Sequence, residues 1–208
     1  MPGEVGLMLM NRLFSGHQRA EEADPDAALL RVLRADPDAL AKLYADYYPR
    51  LHGFLMRVLR QPADVEEIIN DTMLVVWNKA DQFAGRSRVS TWIYGIAYKM
   101  ALKRLHRDKR RAAVELGPQE WSAPPRDPAA VINDKAILAE VRHAVAGLPL
   151  AQRTIVHLAM FYGYGYPEIA EIVGCPLGTV KTRMFYARDR LRPLLDRLAD
   201  QQAGAELL

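Results

Sequence analysis

Apolar residues recur at helical spacing through most of this chain, and one proline-rich stretch interrupts them. Leu40, Leu43, Tyr44, Tyr47, Leu51, Phe54, Leu55, Val58 and Leu59 follow the intervals of one helix face. Alternating β-branched runs and Asn-Gly turns, the usual marks of strands, are absent. Asp24-Pro25-Asp26 and Asp36-Pro37-Asp38 read as helix starts, with Asp as N-cap and Pro at the first helical position. The second opens a helix to about Leu59, and Gln61-Pro62 ends it. Further helices are expected at about 63–78, 90–110, 131–146, 151–161, 167–173 and 177–197. Between them, "AAVELGPQEWSAPPRDPAA" (112–130) holds four prolines and a glycine and has no apolar period. The expected fold is all-α. Two small helical domains, 25–111 and 131–208, are joined by a flexible Pro-rich linker, 112–130, and preceded by an N-terminal extension, 1–24. Trp121 in the linker reads as a side chain resting on a neighbouring domain, with a partner contact as the alternative.

Charge separates the chain more sharply than its total of +3 suggests. Asp64 to Asp81 carries five acids and one base, a net of −4. Lys99 to Arg111 carries seven bases and one acid, a net of +6. One segment suits a basic partner and the next a polyanion. A single cysteine allows no internal disulfide. The first residues, "MPGEVGLMLMNRLF", carry Glu4 early and no basic region, so they do not read as a signal peptide. No window approaches the roughly 18 to 20 apolar residues of a membrane span. The expected compartment is the cytoplasm, with no membrane contact of the chain's own.

The segment "EIAEIVGCPLGTVKTRM" (168–184) has the pattern of a helix-turn-helix. Ala170 is small enough for a close helix crossing. Gly174 can take the positive φ of a tight turn. Pro176 starts the next helix, where its missing N–H costs nothing. Ile169, Ile172 and Val173 supply one inward face. Leu177, Val180, Met184, Leu191 and Leu194 form the apolar stripe of the second helix. Its other face carries Thr179, Lys181, Thr182, Arg183, Tyr186 and Arg188. Cations hold phosphates, and Thr, Lys and Arg reach base edges in a major groove. The bland alternative is a solvated basic face on a helical hairpin. Cys175 needs only to be small, because no second cysteine accompanies it and His157 lies in another helix.

Upstream, "ADVEEIINDTMLVVWNKA" places Asp64, Glu67 and Asp71 on one helix face, with Val65, Ile68, Ile69, Thr72, Val75 and Val76 on another. An acidic stripe opposite a buried one is ordinarily just solvated surface. In "DQFAGRSRVSTWIYGIAYKMALKRLHRDKRR", Phe83, Trp92, Tyr94 and Tyr98 alternate with Arg86, Arg88, Lys99, Lys103 and Arg104. Cations interleaved with aromatic surfaces suit unstacked single strands. Trp92, Ile96 and Met100 are expected partly buried, and Lys99, Lys103 and Arg104 outward.

These stretches, in this order, resemble the signatures of extracytoplasmic function (ECF) sigma factors of bacterial RNA polymerase. The carriers are "ADVEEIINDTMLVVWNKADQF", "STWIYGIAYKMALKRLHR" and "YPEIAEIVGCPLGTVKTRMFYAR". The resemblance spans about 25–110 and 131–195. It implies that 25–111 is similar to sigma region 2 and 131–208 to region 4. Asp64, Glu67, Asp71 and Trp77 would contact core polymerase at the β′ clamp helices. Phe83, Arg86, Ser87, Arg88, Thr91, Trp92, Tyr98, Lys99 and Lys103 would contact the −10 element, with a flipped base in the loop from Phe83 to Ser90. Thr179, Lys181, Thr182, Arg183, Phe185, Tyr186 and Arg188 would read the −35 element. The implied partners are core polymerase, including its β flap, promoter DNA both duplex and single-stranded, and an anti-sigma factor. The linker would thread towards the polymerase active-site and RNA-exit channels. Lys99 and Gly95 stand where family members often carry Asn and Arg, so Lys99 would hold a phosphate instead of a base edge.

The competing reading is a stand-alone helix-turn-helix regulator whose first module senses or dimerises. It leaves the acidic helix and the aromatic-basic helix without a purpose. An enzyme finds no support. The five histidines lack metal-ligand spacing, and no glycine-rich phosphate loop or nucleophile constellation occurs. No cofactor or metal is expected. Cys175→Ser is therefore expected to leave transcription and DNA binding nearly unchanged. A large redox-dependent difference in either assay would restore the thiol to a functional role.

Overall fold

The computed structural model describes residues 25–33, 36–59, 61–115 and 134–205. The expected N-terminal extension and most of the expected linker, with Trp121, lie outside them. Among the described residues there is no strand. Eight α-helices follow in order: α1 (Pro25–Val32), α2 (Pro37–Leu59), α3 (Pro62–Lys79), α4 (Val89–Glu115), α5 (Asp134–Ala146), α6 (Leu150–Met160), α7 (Tyr166–Val173) and α8 (Leu177–Ala205). A 3-10 turn, Ala80–Gln82, extends α3. No described helix is long and apolar enough to cross a membrane.

The helix starts follow the chemistry of their first residues. Asp36 accepts a 2.9 Å hydrogen bond from the Asp38 backbone N–H. Pro37 follows at the first helical position, where no N–H is needed. Pro62 does the same for α3. Two helices also run through an internal proline, Pro49 and Pro193, each forgoing a ladder hydrogen bond. Helices α4 and α8 continue past their expected ends, to Glu115 and Ala205. The first thereby enters the stretch expected as linker. Nothing in "RRAAVE" breaks a helix until the glycine and proline that follow.

The described chain forms two compact units. The first comprises α1 to α4 together with Pro167–Pro176. Its core gathers Leu43, Tyr47, Leu51, Phe54 and Leu55 of α2, Val65, Ile69 and Val76 of α3, and Ile93, Tyr94 and Ala97 of α4, all fully buried. Phe54 packs against Tyr94 and Tyr98, at centroid distances of 5.2 and 6.3 Å. Tyrosine hydroxyls stitch the helices at the edge of this core. Tyr47 donates to Asp26, joining α2 to α1. Tyr44 donates to Asn70 at 2.9 Å and Tyr48 to Glu66 at 2.5 Å, joining α2 to α3.

The second unit packs α5 and α6 against α8. Val145, Ile155, Val156 and Leu158 are buried with Val180, Met184, Ala187, Leu191, Leu195 and Leu198. The α8 stripe differs from the expected one at both ends. Leu177 is exposed, and Leu195, not Leu194, is buried. A helix advances about 100° per residue, so the register over several turns decides which of two adjacent leucines points inward. Arg197 pairs with Glu140 across α8 and α5.

Helix α7 ends as its sequence predicts. Gly174 has φ +66°, and the Cys175 N–H donates to the Ala170 carbonyl at 3.1 Å. This is the bond of a Schellman closure, with the left-handed residue at Gly174. A Cβ at Gly174 would meet nothing within 4 Å, so its requirement is conformational and not steric. Gly174→Ala is expected to destabilise the fold by about 1 kcal/mol and Gly174→Asn by less. Urea denaturation checks both, and equal stability of all three chains would contradict the conformational account.

Candidate functional site

The acidic residues of α3 do not form one uniform stripe. Arg104 of α4 reaches back to them. Its Nη1 donates to Glu67 at 2.7 Å, its Nη2 to Asp64, and its Nε lies 3.5 Å from Asp108. Asp64 is left with 15% side-chain exposure and Arg104 with 21%, while Glu67 keeps 54%. The hydrogen bond to Glu67, with the nearby acids, raises the Arg104 pKa further above its already high ordinary value. The guanidinium is thus a permanent cation among three carboxylates. Arg104 was expected outward. It turns inward because Asp64 and Glu67, one turn apart on α3, present two acceptors to one guanidinium fork. Asp71 is exposed and Trp77 half-buried.

Beside this cluster, Glu67 and Asp71 form one wall of a groove of about 320 Å³. Lys103, Arg107 and Arg110 form the other, with Ile68 and Met100 between them. Acid and base thus sit on adjacent helices, as the two charge blocks of the sequence imply.

The aromatic-basic set divides between surface and core. Phe83 and Trp92 are half-buried and pack at 5.3 Å with their planes tilted by 44°. They close a small aromatic platform at the start of α4. Arg86, Lys99 and Lys103 are exposed, and Ser87 and Arg88 half-buried. Gly85, between Phe83 and Arg86, has φ +66°, which turns the loop where most side chains would be strained. Trp92, Ile96 and Met100 are half-buried, as expected. Thr91 and Tyr98, by contrast, are buried. Tyr98 packs on Phe54, so in this conformation it belongs to the core and presents no surface to a ligand.

On α8, Lys181 and Thr182 are exposed, and Thr179, Arg183 and Arg188 half-buried. The Thr182 hydroxyl donates to the Gly178 carbonyl at 2.9 Å, so its proton is committed to the helix one turn back. Arg188 donates to the Tyr166 hydroxyl at 3.1 Å, which holds it against the start of α7. Phe185 is 61% exposed and Tyr186 53%. Their rings meet edge to face at 5.6 Å. Two adjacent exposed aromatics beside cations form a surface suited to a partner.

Sequence reasoning missed two features. The inward turn of Arg104 joins residues forty positions apart, which no local pattern reports. Leu74 is 58% exposed on the acidic side of α3. Its spacing from Glu67 and Asp71 could have revealed that. Among the described residues, no group of three or more His, Cys, Asp or Glu side chains could hold a metal ion.

Comparison with known proteins matches residues 43–111 to Sigma-70 region 2 and residues 138–191 to Sigma-70 region 4. The chain is 37% identical over 170 residues to the ECF RNA polymerase sigma factor RpoE of Cereibacter sphaeroides, covering 79% of this chain and 92% of the other. It is 32% identical over 180 residues to the ECF RNA polymerase sigma factor SigK of Mycobacterium bovis, covering 84% and 95%. Its fold matches the sigma factor RpoE of Bartonella quintana, solved in complex with the anti-sigma factor NepR. The TM-score is 0.59 and the identity 25%, covering 74% of this chain and 95% of that one. CnrH, solved with the cytosolic domain of CnrY, shares the fold at a TM-score of 0.58 and 22% identity, covering 83% and 97%.

If Arg104 acts through Asp64 and Glu67, the pair must be energetically coupled. Arg104→Gln and Asp64→Asn should each lower the urea midpoint, and the double variant should fall no further than the worse single one. Additive losses in that cycle would show that the contact carries no coupling.

Proposed function

Because this chain belongs to the extracytoplasmic function sigma factors of bacterial RNA polymerase, we propose that it recruits core polymerase to specific promoters through two separate DNA-reading surfaces. It catalyses no reaction itself. It lends specificity to an enzyme in the cytoplasm. By the boundaries read from the sequence, 25–111 serves polymerase and the −10 element, 131–208 the −35 element, and 112–130 threads the polymerase channels; the compact units divide differently, with α4 running to Glu115 and Pro167–Pro176 grouped with α1 to α4.

The observation that carries this reading is the juxtaposition on α3 and α4. One helix offers acids to a basic protein surface. The next offers a Phe83–Trp92 platform with Arg86, Lys99 and Lys103 around it. Acidic residues of α3 dock the basic β′ clamp helices. The loop from Phe83 to Ser90 takes an unstacked base of the melted −10 element, with Arg88 beside it, and cations of α4 hold the backbone. Capturing such bases offsets a melting cost of a few kcal/mol per unstacked step, by analogy with base flipping. Thr91 and Tyr98 support that surface from within.

The N-terminal part of α8 enters the major groove at the −35 element. Lys181 and Arg183 contact phosphates or base edges, while Thr179, Thr182, Phe185, Tyr186 and Arg188 line the approach. Neither surface needs to be strong alone. Once one is bound, the connecting chain raises the effective concentration of the other. The complex of the Bartonella quintana sigma factor RpoE with the anti-sigma factor NepR supports control of this chain by an anti-sigma factor.

Reconstitution tests the proposal. The purified chain, core polymerase and fragmented genomic DNA should yield discrete transcript 5′ ends sharing two upstream elements, absent without the chain. Sequence-specific duplex binding by the chain alone, without initiation, would favour a stand-alone regulator. On a cognate −35 duplex, Lys181→Ala and Arg183→Ala should each weaken binding. Where the side chain meets a phosphate, the salt slope should fall by about 1. Unchanged titrations would displace the recognition face from α8.

A further inference from the structure

Gly95 is buried on the very face of α4 proposed to meet the −10 element. Arg88, Trp92, Gly95 and Lys99 follow one another at spacings of four, three and four residues, the intervals of one helix face. The Trp92 N–H donates to the Arg88 carbonyl at 3.1 Å, so the helical ladder reaches back to Arg88. Arg88 and Trp92 are half-buried and Lys99 is exposed, yet Gly95 between them is buried.

Helix α7 is what covers it. Pro167–Pro176 belongs to the same compact unit as α4. A Cβ at Gly95 would lie 3.8 Å from the Ile172 Cα, 3.8 Å from the Ile172 carbonyl oxygen and 3.9 Å from that of Glu171. All three are backbone atoms, so the two helices meet main chain to main chain. Alanine would still fit at that distance, and a longer side chain would not. Glycine inside a helix is otherwise a cost to the helix. Ile169 and Ile172 of α7 are fully buried. At the start of α4, the Arg88 Nε lies 3.9 Å from Glu168 of α7, with side-chain exposures of 29% and 31%.

We propose that α7 is an internal mask: seated on Gly95 and pinned by Glu168 to Arg88, it withholds the −10 surface of α4 from single-stranded DNA until it is displaced. This rests on the reading of Arg88 and α4 as the −10 surface. Glu168 occupies the guanidinium that a nucleic-acid phosphate would otherwise take. A partly exposed ion pair is weak and screened by salt. The rest of the contact is narrow, centred on one glycine. Such a mask yields to a partner that binds the uncovered surface better. Until then, the apparent affinity for DNA is lowered by the fraction of chains that are open.

Hydrogen exchange on the full chain, and titration with a labelled single-stranded oligonucleotide of random sequence, test the mask. Gly95→Leu should speed exchange of the Ile169–Val173 amides roughly tenfold while α2 and α3 stay protected. Gly95→Ala should exchange as the unaltered chain does. Glu168→Gln should bind the oligonucleotide roughly threefold more tightly at low salt and no more tightly at high salt. Glu171→Gln removes the same charge from an exposed position on the same helix and should gain less. Unchanged exchange in Gly95→Leu, or equal gains from Glu168→Gln and Glu171→Gln, would overturn the mask and leave the −10 reading intact. No oligonucleotide binding by any of these chains would overturn the −10 surface and the mask with it.

Discussion

Burial of one face of α4 against α2 and α3 decides what the first unit can present to solvent. Tyr94 and Tyr98 close on Phe54, and Ile93, Ala97 and Ala101 complete the contact. Large aromatic side chains dominate such packing because each removes much apolar surface from water. With that face committed, Lys99 and Lys103 must point outward, and the Phe83–Trp92 platform must sit at the entrance to the helix. The DNA-facing surface proposed for this unit is what the core leaves over.

The same packing brings opposite charges together. Helix α3 carries the acids and α4 the bases, and their contact makes Arg104 a bridge between them. This ion cluster consumes Asp64 and part of Glu67. It narrows an acidic helix to a defined stripe. A partner approaching α3 meets fewer free carboxylates than the sequence contains, arranged around an exposed apolar residue. Specificity in such a surface comes from which charges have been withdrawn as much as from which remain.

The second unit solves a simpler problem. One face of α8 buries Val180, Met184, Ala187, Leu191, Leu195 and Leu198. The opposite face keeps Lys181, Phe185 and Tyr186 accessible. Burial thus orients the surface proposed for recognition without a dedicated polar network. Arg188 is the exception, because the Tyr166 hydroxyl holds it in place.

Helical periodicity, Asp-Pro starts, the Gly174 turn and the order of the charge blocks were legible in the sequence, because each is a local rule acting over one or a few turns. They determined an all-helical chain with an acidic helix, an aromatic-basic helix and a helix-turn-helix, in that order. Helix lengths were less legible, since a helix ends only where something stops it, and α4 and α8 run on. The pairing of Arg104 with Asp64 and Glu67, the burial of Thr91 and Tyr98, and the choice of Leu195 over Leu194 were decided by tertiary structure alone. Each depends on which residues from distant parts of the chain share one small volume. Periodicity says that a helix has an inner and an outer face; only its neighbours say which side chain at the boundary is inside.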